Sequence, residues 1–146
     1  MQNKTILVVE DNPDHLELTV LTLQQHGIRN DIVVARDGVE ALDYLFGEGA
    51  HSGRDTTRQP ELVLMDLKLP KLTGLEVLQR LRADARTCYV PVVILTSSSE
   101  DEDILASFRG GANSFVRKPV DFGEFTEKLR QVQLYWLLVN ESRPAG

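Results

Sequence analysis

Four short strand-like runs end in residues able to do chemistry. Leu7-Val8-Val9 leads into Glu10-Asp11, Leu62-Val63-Leu64-Met65 into Asp66, and Val92-Val93-Ile94-Leu95 into Thr96. Ser114-Phe115-Val116-Arg117 leads into Lys118-Pro119. Three carboxylates, a hydroxyl and an amine therefore follow four runs at matching positions. Carboxylates brought together repel unless a cation or a proton lies between them. An all-oxygen donor set suits a hard cation, and Mg²⁺ commonly takes one or two carboxylates together with phosphate and water. In that setting Asp66 can act as a carboxylate nucleophile toward a phosphoryl group. The cation and Lys118 would balance charge on the transferred oxygens, and Thr96 could donate its hydroxyl to one of them. Taken singly, each residue has a plainer explanation. An acid at a strand end is most often a helix cap or a solvated loop residue. Such groups on four strand ends at one rim favour the joint reading.

For these groups to meet, the runs must lie side by side and point the same way. Strands are expected at Thr5–Val9, Ile32–Ala35, Leu62–Met65, Pro91–Leu95 and Ser114–Arg117. Between them lie segments of helical period. Asn12 is an N-cap with Pro13 at the first helical position, Leu16, Val20 and Leu23 share a face, and Gly27 ends the helix. Asp37 opens a second helix with Ala41, Leu42 and Leu45 inward. Gly47 to Pro60 reads as a polar loop. Gly74 to Arg82 is a third helix, with Val77, Leu78 and Leu81 inward. Ser99 opens a fourth, with Glu100, Asp101 and Asp103 near its positive end, and Gly110-Gly111 close it. Asp121 caps the last, with Glu124 three residues on as in a capping box. A βα unit repeated five times, with several strands apolar on both faces, predicts an α/β doubly wound fold around a parallel sheet. Such folds carry their sites outside the carboxyl ends of the strands.

The chain has 146 residues, which fits a single domain over 1–146 with a core of about 5–138 and a short tail over 140–146. The net charge of −6 argues against a nucleic-acid partner. Cys88 is the sole cysteine, so no disulfide within the chain and no cysteine-based metal cluster can form, and a reducing cytoplasm is expected. The first twelve residues are too short in apolar length and too acidic for a signal peptide. No run approaches the roughly 18 apolar residues needed to span a bilayer. His15, His26 and His51 are scattered without metal-ligand spacing and read as surface residues.

The motifs VVEDN at 8–12, LVLMDLKLP at 62–70, GLEVL at 74–78, VVILTSS at 92–98 and FVRKP at 115–119 resemble those of response-regulator receiver domains, in the family's order. The resemblance covers about Thr5 to Leu138 and implies a flavodoxin-like (βα)5 domain with strand order 2-1-3-4-5. It implies Asp66 as phosphoacceptor. Asp11 and Asp66 would be direct Mg²⁺ ligands, Glu10 would act through water, and the Lys68 carbonyl would be the remaining protein ligand. Thr96 matches the switch hydroxyl, Phe115 the aromatic switch position and Lys118 the phosphate-binding lysine, with a cis Lys118–Pro119 bond. The protein would be a stand-alone phosphoacceptor rather than an enzyme, served by a sensor histidine kinase and signalling through protein contacts. LTSSSEDEDI and LYWLLV are similar to the small regulators that serve phytochrome-type kinases.

The last helix carries a core stripe of Phe122, Phe125, Leu129, Val132, Trp136 and Val139. Leu134, Tyr135, Leu137 and Leu138 add apolar groups on other faces, which predicts a homodimer through this helix or docking on a kinase, the plainer reading being a hydrophobic end packed under a loop. Three rival readings are weaker. A haloacid-dehalogenase-type nucleophile would need an aspartate where Lys68 stands. A dinucleotide site would need glycines where Glu10-Asp11-Asn12 stand. A receiver-like scaffold that never takes phosphate would usually have lost one of the acids, Thr96 or Lys118.

Overall fold

Strand-forming apolar runs give five strands in the computed structural model, which describes residues 4–25, 30–96, 106–117 and 122–136. They are β1 (Lys4–Val9), β2 (Asn30–Ala35), β3 (Leu62–Met65), β4 (Val92–Thr96) and β5 (Ser114–Arg117). All pairings are parallel and the sheet order is β2-β1-β3-β4-β5. The doubly wound fold and its predicted order are thus observed.

The two-residue alternation of side chains along a strand divides the core into two layers. Leu7, Val9, Val63, Met65 and Ile94 face one way, against Ala41, Leu45, Val77, Leu78 and Leu81. These come from α2 (Gly38–Phe46) and α3 (Gly74–Ala83). Ile6, Val8, Leu62, Leu64, Val93 and Leu95 face the other way, against Leu16, Leu23, Phe125 and Leu129. Those belong to α1 (Pro13–Gln24) and α5 (Phe122–Leu134). Each fully buried aliphatic side chain contributes roughly 1.5–3 kcal/mol relative to exposure, so the sheet is anchored on both faces. Residues 106–109 are helical and are called α4. No helix among the described residues is long and apolar enough to cross a membrane.

The helix starts follow the caps in the sequence. The Asn12 side chain accepts from Asp14 N at 2.9 Å and His15 N at 3.1 Å, with Pro13 behind it. Asp37 accepts from Glu40 N at 2.7 Å. That bond, reinforced by Lys71, holds the Asp37 carboxyl below its usual pKa. Thr73 and Glu76 close a capping box on α3.

Several boundaries differ from expectation. β2 begins at Asn30, and β4 takes in Thr96 while leaving out Pro91, whose carbonyl still accepts from Val63 N at 2.9 Å. α1 ends at Gln24, before Gly27, which lies outside the described residues. The same is true of Ser99, Glu100, Asp101, Asp103, Asp121 and the Lys118–Pro119 bond. The 47–60 loop contains a 3₁₀ turn at Gly49–His51 and is held by Arg54 together with Gln59, whose Nε2 donates to Leu45 O and Thr56 O. Arg54 donates to the carbonyls of Tyr44, Leu45 and Arg58 and to Gln59 Oε1, with its guanidinium 4.1 Å from the Tyr44 ring centre. A cation thus caps the carbonyl end of α2, where the helix dipole favours it. In α5, Phe125 and Leu129 are buried as expected, and so is Gln133, which the apolar stripe passes over. Its Nε2 donates to Leu23 O at 2.7 Å and ties α5 to the end of α1.

Candidate functional site

The register of the sheet brings the acids together. Val9 lies opposite Met65, so Glu10-Asp11 and Asp66 leave neighbouring strands at the same level. Two further bonds, Glu10 N to Ala35 O at 3.0 Å and Asp66 N to Val9 O at 3.1 Å, extend the pairing by one residue. One carboxylate oxygen from each of Glu10, Asp11 and Asp66 lies within 4.8 Å of the others. Glu10 is buried, Asp66 half-buried and Asp11 exposed. Such a trio of oxygen donors, open to solvent on one side, fits a hard divalent cation that keeps some of its water.

Local bonds hold the carboxylates in place. Asp66 Oδ1 accepts from Lys68 N at 3.3 Å, which bends the chain sharply after the strand. Glu10 Oε2 accepts from Asn12 N at 3.4 Å, and His15 Nδ1 stands 3.8 Å from Glu10 Oε1. His15 is part-buried with its side chain 40% exposed, so it lies at the surface but also borders the site. The signal for this was positional: the Asn12 cap puts His15 in the first turn of α1, beside the acids. Gly74 was also undervalued. Its N donates to Leu67 O at 2.8 Å, and a Cβ there would lie 2.3 Å from Asp66 O. Only glycine lets α3 begin this close to the strand end that carries Asp66.

The other expected site residues are placed as follows. Thr96 closes β4, the neighbour of β3, and pairs in register with Arg117, the last residue of β5. Lys118 follows directly and lies outside the described residues. Phe115 sits opposite Ile94 and is half-buried against the layer that contains Met65. Lys68 is exposed in the loop after Asp66. Leu134 is half-buried and Tyr135 is 49% exposed, with its ring edge-on to Trp136 at 4.9 Å. Leu137 and Leu138 lie outside the described residues.

This arrangement recurs in known proteins. Residues 6–130 match the response regulator receiver domain. The chain is 38% identical over 94% of its length to a probable methanogenesis regulatory protein, FilR2, of Methanothrix harundinacea, covering 86% of that protein. It is 30% identical over 92% of its length to the response regulator Rcp1 of Synechocystis, covering 89% of it. Among solved structures, the phosphorylated cyanobacterial phytochrome response regulator RcpA superposes with a TM-score of 0.89 at 31% identity, covering 96% of this chain and 98% of that one. The bacteriophytochrome response regulator AtBRR is 46% identical, with a TM-score of 0.77 and coverage of 97% and 100%. The Rcp1 structure with Mn²⁺ bound, at 28% identity, covers 97% of this chain and 99% of that one with a TM-score of 0.88. Sheet order, acidic rim and sequence match agree, and the chain belongs to the response-regulator receiver family, the signalling domains of two-component phosphorelays.

Proposed function

We propose that Asp66 is the residue that takes the phosphoryl group and that Mg²⁺ is the cation held beside it. The observation that carries this reading is the approach of Glu10, Asp11 and Asp66 to within 4.8 Å of one another. Asp11, Asp66 and the carbonyl of Lys68 would bind the ion directly, with Glu10 acting through water. The ion, when bound, offsets negative charge on the phosphoryl oxygens. A carboxylate oxygen of Asp66 attacks phosphorus as the bond to the donor nitrogen or oxygen breaks, which leaves an aspartyl phosphate. Lys118 pairs with one phosphoryl oxygen and Thr96 donates its hydroxyl to another. The new group adds about −1.5 to −2 charges at the rim. Movement of Thr96 toward it frees space for Phe115, which carries the change to the face of α4, β5 and α5.

The donor in this reading is a sensor histidine kinase of the phytochrome type, in the cytoplasm. The relatives named as phytochrome and bacteriophytochrome response regulators support that choice. Incubation with acetyl phosphate and Mg²⁺ should add one phosphoryl mass to the protein. Chelation or Asp66→Asn should remove it, and full labelling of the Asp66→Asn protein would sink the assignment.

A second copy of the chain is the proposed partner of the last helix, through Leu134, Tyr135, Leu137 and Leu138. Exposed Tyr135 and the shallow groove it shares with Val116, Val132 and Trp136 support this reading. Sedimentation at micromolar concentration should show a dimer that Tyr135→Glu weakens. A monomer under all conditions would count against it.

A further inference from the structure

The loop from Asp66 to α3 contains an unusual turn. Lys71 is the one described residue other than glycine with positive φ, at 69°. Leu72 N donates to Pro70 O at 2.8 Å across it, an i to i+2 bond. Together these define a γ-turn of the positive-φ hand, a rare and strained geometry for a residue with a side chain. Such strain persists only where the surroundings over-determine it.

The surroundings here come from the start of α2. Lys71 Nζ lies 3.4 Å from Asp37 Oδ2, and Gly38 N donates to the same Pro70 carbonyl at 3.4 Å. A Cβ on Gly38 would lie 2.5 Å from Leu72 O and 2.7 Å from Leu72 Cβ, so the helix start is pressed directly against the turn. Asp37 is itself fixed by its cap bond to Glu40 N. The turn is therefore gripped on one side by α2, while Gly74 N holds Leu67 O on the other.

We propose that Asp37 and Lys71 form a positioning clip, through which α2 holds the loop after Asp66 in the shape that its carboxylate and the Lys68 carbonyl require to bind a cation. This rests on the reading of Asp66 as the phosphoacceptor beside Mg²⁺. Neither residue touches the reacting atoms, and both act through the loop. Lys71 is exposed and Asp37 half-buried, and an ion pair at the surface is worth little as an isolated contact. Its effect comes from selecting one turn.

The clip makes a prediction that simple electrostatics reverses. Lys71→Met removes a cation from the neighbourhood of the acids, which by charge alone should tighten Mg²⁺ binding. The clip predicts weaker binding for both Lys71→Met and Asp37→Asn, by about three- to fivefold each. Asparagine is an equally good N-cap, so the second variant keeps α2 intact. The double variant should be no worse than either single one, because both remove the same contact. Mg²⁺ titration followed by calorimetry measures these affinities. Amide exchange at Leu72 and Gly74 in metal-free buffer should quicken by a similar factor in each variant. Tighter Mg²⁺ binding in Lys71→Met, additive losses in the double variant, or unchanged exchange at both amides would overturn the clip. If the parent chain binds no Mg²⁺, the reading of the acidic site fails, and the exchange rates still decide whether Asp37 and Lys71 hold the loop.

Discussion

Adding one methyl group at Gly74 is expected to cost about 3 kcal/mol of stability and to abolish phosphoryl acceptance. The backbone of Gly74 has no need of positive φ, so the effect is purely one of space. A Cβ would stand 2.3 Å from Asp66 O, 2.8 Å from Leu67 Cα and 3.1 Å from Asp66 C. All three are main-chain atoms of the segment that carries Asp66, the proposed phosphoacceptor, and none can rotate away as a side chain could. Either α3 retreats, breaking the bond from Gly74 N to Leu67 O and opening the layer around Val77, Leu78 and Leu81, or the loop with Asp66 moves. Urea denaturation of Gly74→Ala measures the first response and acetyl phosphate labelling the second. Gly53→Ala is the control. A Cβ at Gly53 meets nothing within 4 Å, so only its φ of +92° opposes the change. Parent-like stability in Gly74→Ala would contradict the close approach.

Arg82→Met is expected to cost about 3 kcal/mol while leaving the rim chemistry of the folded protein intact. The guanidinium is half-buried and makes five bonds to oxygens of two segments, 88–90 and 111–113. It donates to Gly111 O at 3.0 and 2.8 Å, to Val90 O at 2.6 Å, to Cys88 O at 3.0 Å and to Asn113 Oδ1 at 2.9 Å. Asn113 Oδ1 in turn accepts from Val92 N at 2.8 Å, so the arginine braces the amino-terminal ends of β4 and β5. Burial pulls the guanidinium's pKa down from its usual value. Gly111 participates by lacking a side chain, since a Cβ there would lie 2.8 Å from Arg82 Nε. Methionine fills the space of the stem and leaves the carbonyls without donors. Lysine should restore little, because one ammonium cannot reproduce the planar fork. A loss below 0.5 kcal/mol in Arg82→Met would show that water replaces the network.

The contrast between these sites explains what could be read from the chain. β1 and β3 were legible because their residues are apolar on both faces, a pattern that only a covered parallel strand tolerates. Asn12-Pro13 and Asp37 announced their helices because capping needs those residue types at those places, and Thr73 was a signal of the same kind that was passed over. The acids could be located because Glu10 and Asp66 each follow a strand directly and Asp11 comes next. What escaped was contact that obeys no period. Lys71 gives no hint of positive φ, since lysine normally avoids it. Gly38 and Gly74 read as helix starts, whereas their task is to let main chains approach. Arg54 and Arg82 look like surface cations and prove to be braces for carbonyls. Gln133 falls off the apolar stripe and is buried all the same, because the end of α1 offers it a carbonyl.

The arginine-bound loop before β3 has a consequence for how the chain tolerates change. It lies at the amino-terminal end of the sheet, while the acids stand at the carboxyl end. Arg54 bonds α2 to the loop's own residues, so the loop is closed on itself and asks nothing of the strand that follows. Its tip at Gly53 faces open space. Lengthening a loop of this kind costs slowly with size, about 0.6 kcal/mol for each doubling. The two ends of one sheet therefore stand under opposite regimes. At the rim a single methyl group is disruptive, while at the far end the polypeptide can grow, shrink or accept a foreign peptide without the chemistry registering it.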